Sequence, residues 1–337
     1  MCIFTGTFTK IRKLHGKIRH HHGYSTGVGY LQVHSLPSPF GRYKQREGRD
    51  PAEDHENRSS NGVSSQRPGR APAAAAPPQK RRIPSFYVTF ISEVQAILRK
   101  QGYKVMIAIS SENPKQEREN LLMMEQLRVD GILMSVCDKD QNVDLYNKVI
   151  ERGIPIVFFD RTVEGVQASQ VRMDDYIMAF FMVEALLRKG YKHILHIPGP
   201  AYIRNSRERQ RGYRDALEKF HVAYQAQDIL QPALSAEEYV EKTIPFDAVF
   251  GFTETAVLGA KSTLQKHKMR IPDDVALCCM SGTALATLVH PQLTAVEQPI
   301  GEMARESCRL LMEHLADNNK KTEEIALRGE TVVREST

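Results

Sequence analysis

The stretch NKVIERGIPIVFFD, residues 147–160, decides the fold. Val149 and Ile150 belong to an amphipathic helix, and Gly153 follows as the residue able to adopt the left-handed conformation that ends it. Ile156–Phe159 is then a short apolar run with no polar alternation, which reads as a strand buried on both faces. The same order of helix, glycine and apolar strand recurs on both sides. Upstream, Phe90, Val94 and Ile97 share one helical face, Gly102 caps it, and 105–110 (VMIAIS) is a strand. Downstream, LLRKGYKHILHI places Gly190 before a strand at 194–197, and further strands fit 132–136, 248–250 and 276–279. Helix and strand in alternation imply parallel strands joined by right-handed crossovers, helices on both faces, and ligands at the C-terminal ends of the strands.

About 250 residues follow residue 82, too many for one such sheet of ordinary size. Two doubly wound lobes facing a cleft are therefore expected. Hydrophobic residues make up 41% and charged residues 26% of the 337, and no run approaches the length of a membrane span, so a soluble protein is expected. Five cysteines (Cys2, Cys137, Cys278, Cys279, Cys308) have neither disulfide nor zinc spacing, which suits a reducing cytoplasm. The opening MCIFTGTFTKIRKLHG lacks the apolar core of a secretory signal.

Residues 1–82 are of another kind. They are rich in Ser, Pro, Gly, Arg and His, and they contain the linker-like RPGRAPAAAAPPQKRR. They hold 15 Lys and Arg against 5 Asp and Glu, leaving 31 against 35 for the rest. A basic arm on a mildly acidic body is expected, either a solvated tail or a polyanion-binding one.

Several segments together resemble the LacI/GalR family of transcriptional regulators. They are VDGILMS, GIPIVFFDR, the run from VRMDD through KGYKHILHIPGP to RERQRGYRDAL, FDAVFGFTETAVLGA, IPDDVALCCMSG, HPQLTAVEQPIGEMARESCRLL and the terminal LRGETVVREST. Each is weak alone, but in order they cover residues 83–337. The resemblance implies a periplasmic-binding-protein-like core of two lobes joined by a three-strand hinge. It implies crossings near Asp160–Thr162, near Val296–Pro299 and before Val332 and Val333. The N-lobe would be 83–161 plus 298–322, and the C-lobe 162–297 plus 323–337, behind a disordered segment 1–82. It further implies a cytoplasmic homodimeric repressor that binds a small sugar-like effector and operator DNA. No enzyme activity, cofactor, metal or membrane is expected. The alternative is a periplasmic sugar-binding protein of a transporter, which shares the fold.

Carried over residue by residue, the resemblance points to Asp160 as an acceptor for ligand hydroxyls and to Arg209 as a guanidinium fork onto a ligand oxygen. Phe86 and Tyr87 stand where the family presents an aromatic face, or else simply pack in the core. Two positions depart from the pattern: Thr253 and Glu254 replace Asn-Asp, and Ser281 replaces an acid, so the ligand is expected to differ from that of sugar repressors. The segment SAEEYVEKTIPFDAVF is shorter than usual.

No helix-turn-helix headpiece is legible in residues 1–82, where NGVSS (61–65) is too short to count. The first strand of the N-lobe is missing as well, an expected cost of several kcal/mol against a typical total of roughly 5 to 15. Two readings stay open for 1–82: a natural arm that binds DNA electrostatically, or an out-of-frame or mis-joined start. Other motifs read as bland. His20–His22 is a loose cluster, and Asp138, Asp140 and Asn142 lack the glycine of a calcium loop. Gly27 and Gly29 form half a dinucleotide fingerprint, and Cys278 and Cys279 are inert thiols in a buried strand.

Overall fold

Every residue of Ile156–Phe159 is buried, and successive side chains enter opposite cores. Ile156 and Phe158 join one cluster, whereas Val157 and Phe159 join the other. This is why the run carries no polar alternation: both faces of the sheet are covered. The computed structural model describes residues 6–10, 85–224, 229 and 246–337.

In chain order the elements are β1 (Gly6–Lys10), α1 (Ser85–Lys100), β2 (Tyr103–Met106), α2 (Pro114–Gln126), β3 (Ile132–Met134), α3 (Val143–Glu151), β4 (Ile156–Phe159) and β5 (Ser169–Met173). Then come α4 (Asp175–Arg188), β6 (Ile194–Ile197), α5 (Arg204–Lys219), β7 (Ala248–Gly251), α6 (Glu254–Lys266), β8 (Ala276–Gly282) and α7 (Ala284–Leu288). The chain closes with β9 (Thr294–Glu297), α8 (Ile300–Ala316), β10 (Glu324–Leu327) and β11 (Glu330–Val332). They build two sheets, ordered β10-β5-β4-β3-β1-β2 and β11-β9-β8-β7-β6. In the first lobe α1 and α8 share one core, and in the second α4 and α5 cover one face and α6 the other. Gly102, Gly153 and Gly190 all have φ between +84° and +99°, the conformation their capping positions demand.

Three expectations need correction. The chain leaves the first sheet at Met173–Asp174, not near Asp160–Thr162, because Ser169–Met173 pairs parallel with β4. Residues 324–327 likewise pair with β5 in the first sheet, so of the tail only β11 lies in the second. The lobe limits at 161/162 and 322/323 therefore move to 173/174 and 328/329. The crossing after β9 falls between Glu297 and α8, within the expected stretch.

The third correction concerns the first strand of the N-lobe, expected to be missing. The slot is filled by Gly6–Lys10, which runs antiparallel to β2 on one side and β3 on the other. A gap between two strands leaves both with unpaired backbone groups, and GTFTK supplies a short run of strand-forming residues to meet them. The remaining motifs of 1–82, and the segment from 230 to 245, lie outside the described residues.

The three crossings converge. A β-carbon built on Gly329 would lie 2.7 Å from the Glu297 carbonyl oxygen, 2.9 Å from Val296 Cγ1 and 3.1 Å from the Met173 sulfur. The Asp174 amide donates to the Leu327 carbonyl at 2.7 Å. Only a residue without a side chain admits all three strands at this point.

Candidate ligand-binding cleft

Helix α1 positions the first polar group. Phe90 stacks on Phe159 with ring centroids 3.9 Å apart, and Phe86 packs against Phe90 and edge-on to Tyr87. Phe86 is thus part of the core. Tyr87 presents a hydroxyl rather than a ring face: it donates to Asp160 Oδ2 at 3.0 Å and lies 3.1 Å from Ser135 Oγ. Burial holds the Tyr87 phenol protonated and a donor.

Asp160 follows β4 with φ +57°, a left-handed conformation that costs a residue with a side chain about 1 to 3 kcal/mol. Its backbone amide bonds to the Val171 carbonyl, which fixes the turn. Its carboxylate accepts from Tyr87 of the first lobe and, at 3.4 Å, from Asn205 Nδ2 on α5 of the second. Burial raises the Asp160 pKa most, Asp175 raises it further, and Arg161 and Arg209 pull it down. One carboxylate therefore joins the two lobes.

Arg209 lies one turn beyond Asn205 on the same face of α5, and its guanidinium is buried. Nε donates to Asp175 Oδ1 at 2.7 Å, Nη1 donates to the Phe252 carbonyl at 2.6 Å, and the plane covers the Phe252 ring at 4.4 Å. Gly199 allows this arrangement, since a β-carbon there would sit 2.6 Å from the same ring. Asp175, the first residue of α4, is raised by burial and lowered by Arg209. Arg209 was expected to fork onto a ligand, but its fork is closed on Asp175 and Phe252.

The remaining residues of the second lobe occupy the C-terminal ends of β7 and β8. Thr253 caps α6 by accepting from the Ala256 amide. Glu254 is buried and accepts from the Thr283 amide at 2.9 Å and its hydroxyl at 2.5 Å, bracing the turn after β7 to the turn after β8. Ser281 is half-buried in the last part of β8. The structure thus joins Tyr87 and Asp160 directly, with Arg209 beside them. Thr253 and Glu254 serve the local fold, and Phe86 serves the core.

Several groups were not foreseen. Glu112 meets Arg161 at 3.3 Å and the Tyr202 hydroxyl at 3.3 Å, and the Lys139 amide donates to the Tyr202 carbonyl. Arg204 reaches across to Glu324 at 3.1 Å and to Thr162 at 3.4 Å. These contacts bring the lips of the cleft together. A cavity of about 540 Å³ opens beside them, lined by Ser110, Ser111, Glu112, Asn113 and Gln116 among others. Neither Asp160 nor Arg209 lines it. Asn205 Oδ1 is buried without a hydrogen-bond partner, and so is Gln298 Oε1 at the second crossing. A buried unpaired acceptor costs about 1 to 3 kcal/mol, an expense that a donor from a ligand would relieve.

Among the described residues no group of three or more His, Cys, Asp and Glu side chains could hold a metal ion. Ser169 Oγ lies 2.7 Å from His314 Nε2, but both are buried and the serine also accepts from the Glu323 amide, so the pair ties α8 to β5. Cys278 and Cys279 are buried, and burial pushes the Cys279 thiol up to about 12. No described helix is long and apolar enough to cross a membrane.

A family model described as a periplasmic binding protein-like domain matches residues 183–337. The ribose operon repressor of Halalkalibacterium halodurans is 27% identical over 256 residues, 75% of this chain and 76% of that protein. The HTH-type transcriptional regulator CelR of Thermobifida fusca is 27% identical over 267 residues, 77% of this chain and 78% of that one. Among solved structures, a complex of the transcriptional regulator CelR with cellobiose superposes with a TM-score of 0.67 at 25% identity, covering 75% of this chain and 79% of that one.

Proposed function

We propose, from its similarity to transcriptional regulators of the LacI/GalR family, that the chain is a repressor whose core binds a small sugar-like effector and couples lobe closure to operator DNA. The observation that carries the reading is Asp160, whose carboxylate accepts from Tyr87 in one lobe and Asn205 in the other. A ligand hydroxyl entering beside it has hydrogen-bonding groups on both sides, so its binding energy falls on the closed arrangement. Operator and effector are then reciprocally coupled, typically by about 1 to 3 kcal/mol. Cytoplasmic localisation and a homodimer complete the proposal. The relatives described above are regulators, which favours this reading over that of a transporter's binding protein.

A thermal-shift screen of sugars, sugar phosphates, nucleosides and purines tests it. A true effector at about 100 times its dissociation constant adds roughly 2.7 kcal/mol of stability. Arg209→Ala, the natural first choice from sequence, is the wrong control, because it strands the buried Asp175 carboxylate at a cost of about 3 to 5 kcal/mol. Asp160→Asn is isosteric and removes a charge that is expensive to bury. It should leave the fold standing and weaken the best hit by about tenfold to a hundredfold, the worth of a charged hydrogen bond. An undiminished shift in Asp160→Asn moves the site elsewhere. For the operator, binding that weakens steeply with salt and ignores sequence would indicate an electrostatic arm instead of a specific headpiece.

A further inference from the structure

At one end of the first sheet, β2 has a single strand partner among the described strands, and that partner is β1. Thr7, Phe8, Thr9 and Lys10 pair with Met106, Val105, Lys104 and Tyr103 on one side. On the other side Gly6 and Thr7 pair with Leu133 and Ile132. Both neighbours run antiparallel to β1 and are therefore parallel to each other. With β1 between them they stand two strand spacings apart, about 10 Å, which no backbone hydrogen bond spans. The ladder that ties β2 to the sheet thus runs through residues 6–10. Tyr103 and Val105 of β2 also pack in the cluster that holds Phe86 and Tyr87. What fills this slot accordingly bears on the helix that brings Tyr87 to Asp160.

The strand in the slot is remote in the chain from the lobe it completes. Residues 11–84 separate Lys10 from the start of α1. A tether of this length presents its strand at an effective concentration of about a millimolar at most. The segment is held by main-chain pairing with two strands at once, the mode by which an extended peptide is added to a sheet. Such recognition reads the backbone first and needs a short extended run without proline.

The geometry points to the slot between β2 and β3 as a peptide-acceptor site, in which Gly6–Lys10 is a tethered and exchangeable ligand. The class of ligand is an extended segment of about five residues running against both neighbours, and a separate peptide of the same sequence takes the same place.

Hydrogen exchange on the full chain tests it, with a synthetic peptide of residues 1–12 as the probe. Thr7 is paired on both sides, and Thr7→Pro removes its amide and interrupts the ladder. In this variant the amides of Tyr103–Met106 that face β1 should exchange at least tenfold faster than in the wild type. Ala248–Gly251 and Ala276–Gly282 of the second sheet should keep their protection. The peptide should restore protection saturably, and the same peptide carrying T7P should not. In the wild-type chain, labelled peptide should displace the tethered strand with a midpoint at about a millimolar or below. That displacement needs no variant, so it decides the matter should Thr7→Pro fail to fold. Unchanged exchange at Tyr103–Met106 in a folded Thr7→Pro chain overturns the docking of residues 6–10. A peptide that neither protects a folded variant nor enters the wild-type slot at several millimolar overturns the acceptor site, as does binding that T7P leaves undiminished. Protection of the variant without entry into the wild-type chain overturns the exchange.

Discussion

At the scale of single residues, His196 illustrates how burial sets chemistry. It lies in β6 against the rings of Tyr213 and Phe250, with Nδ1 3.0 Å from the Phe250 carbonyl oxygen and Nε2 unpaired. Burial lowers its pKa to about 4, against 6.5 for the free side chain. The folded chain therefore keeps a neutral imidazole where the unfolded chain takes a proton. Stability is whole above pH 6.5 and declines as pH falls toward 4, by roughly 3 kcal/mol from this group. Asp160 and Asp175 act in the other direction, since their raised pKa values make the fold lose stability as pH climbs past the ordinary carboxylate range. His196→Phe keeps the stacking and removes the titration, so the difference between wild-type and variant unfolding energies isolates the histidine. Parallel profiles from pH 7 to pH 4 would disprove the assignment. Asp160 makes a second prediction: its carboxylate accepts more strongly when ionised, so effector affinity should fall with acidification, beginning above the usual carboxylate pKa. Titrations at successive pH values check this, and a flat profile contradicts it.

Elements differ in how legible they were. Ile156–Phe159 and Ile194–Ile197 have the bounds read from sequence, because both faces of each strand are buried and only His196 interrupts the apolar text. Ser169–Met173 went unseen, since SQVRM mixes polar and apolar residues even though four of its five positions are buried. Ser169 Oγ and Gln170 Nε2 find partners that only the assembled fold supplies, His314 and the Val163 carbonyl. The site followed the same rule. Tyr87 and Asp160, both singled out in the sequence, lie in direct contact, whereas the partners Asp175 and Glu112 depend on contacts between segments far apart in the chain. Asn205 could have been found, because four residues before Arg209 is the same helical face. The contact between α4 and α5 gives the prediction at this scale. A β-carbon on Gly212 would lie 2.4 Å from the Tyr176 carbonyl oxygen and 2.9 Å from the Phe180 amide nitrogen. Gly212→Ala should therefore destabilise by about 1 to 3 kcal/mol despite the better helix propensity of alanine. Denaturant unfolding measures it, and a neutral or stabilising result would show that the helices can part without penalty.

For the whole molecule, the lips and the hinge govern the balance between open and closed lobes. The Arg204–Glu324 pair crosses the cleft with its carboxylate about half exposed, and such pairs contribute about 0 to 1 kcal/mol. Arg204→Ala should accordingly shift the unliganded population toward the open form by no more than about fivefold, read by energy transfer between dyes on the two lobes. A complete opening would mean that this pair dominates closure, contrary to its exposure. The hinge itself has a mechanical consequence. Because the first two connections crowd the place where a β-carbon on Gly329, in the third, would sit, the swing of one half against the other has a single fulcrum. Displacements there are multiplied by the lever arm to the rim, so a perturbation too small to disturb the pivot can decide whether the jaws meet.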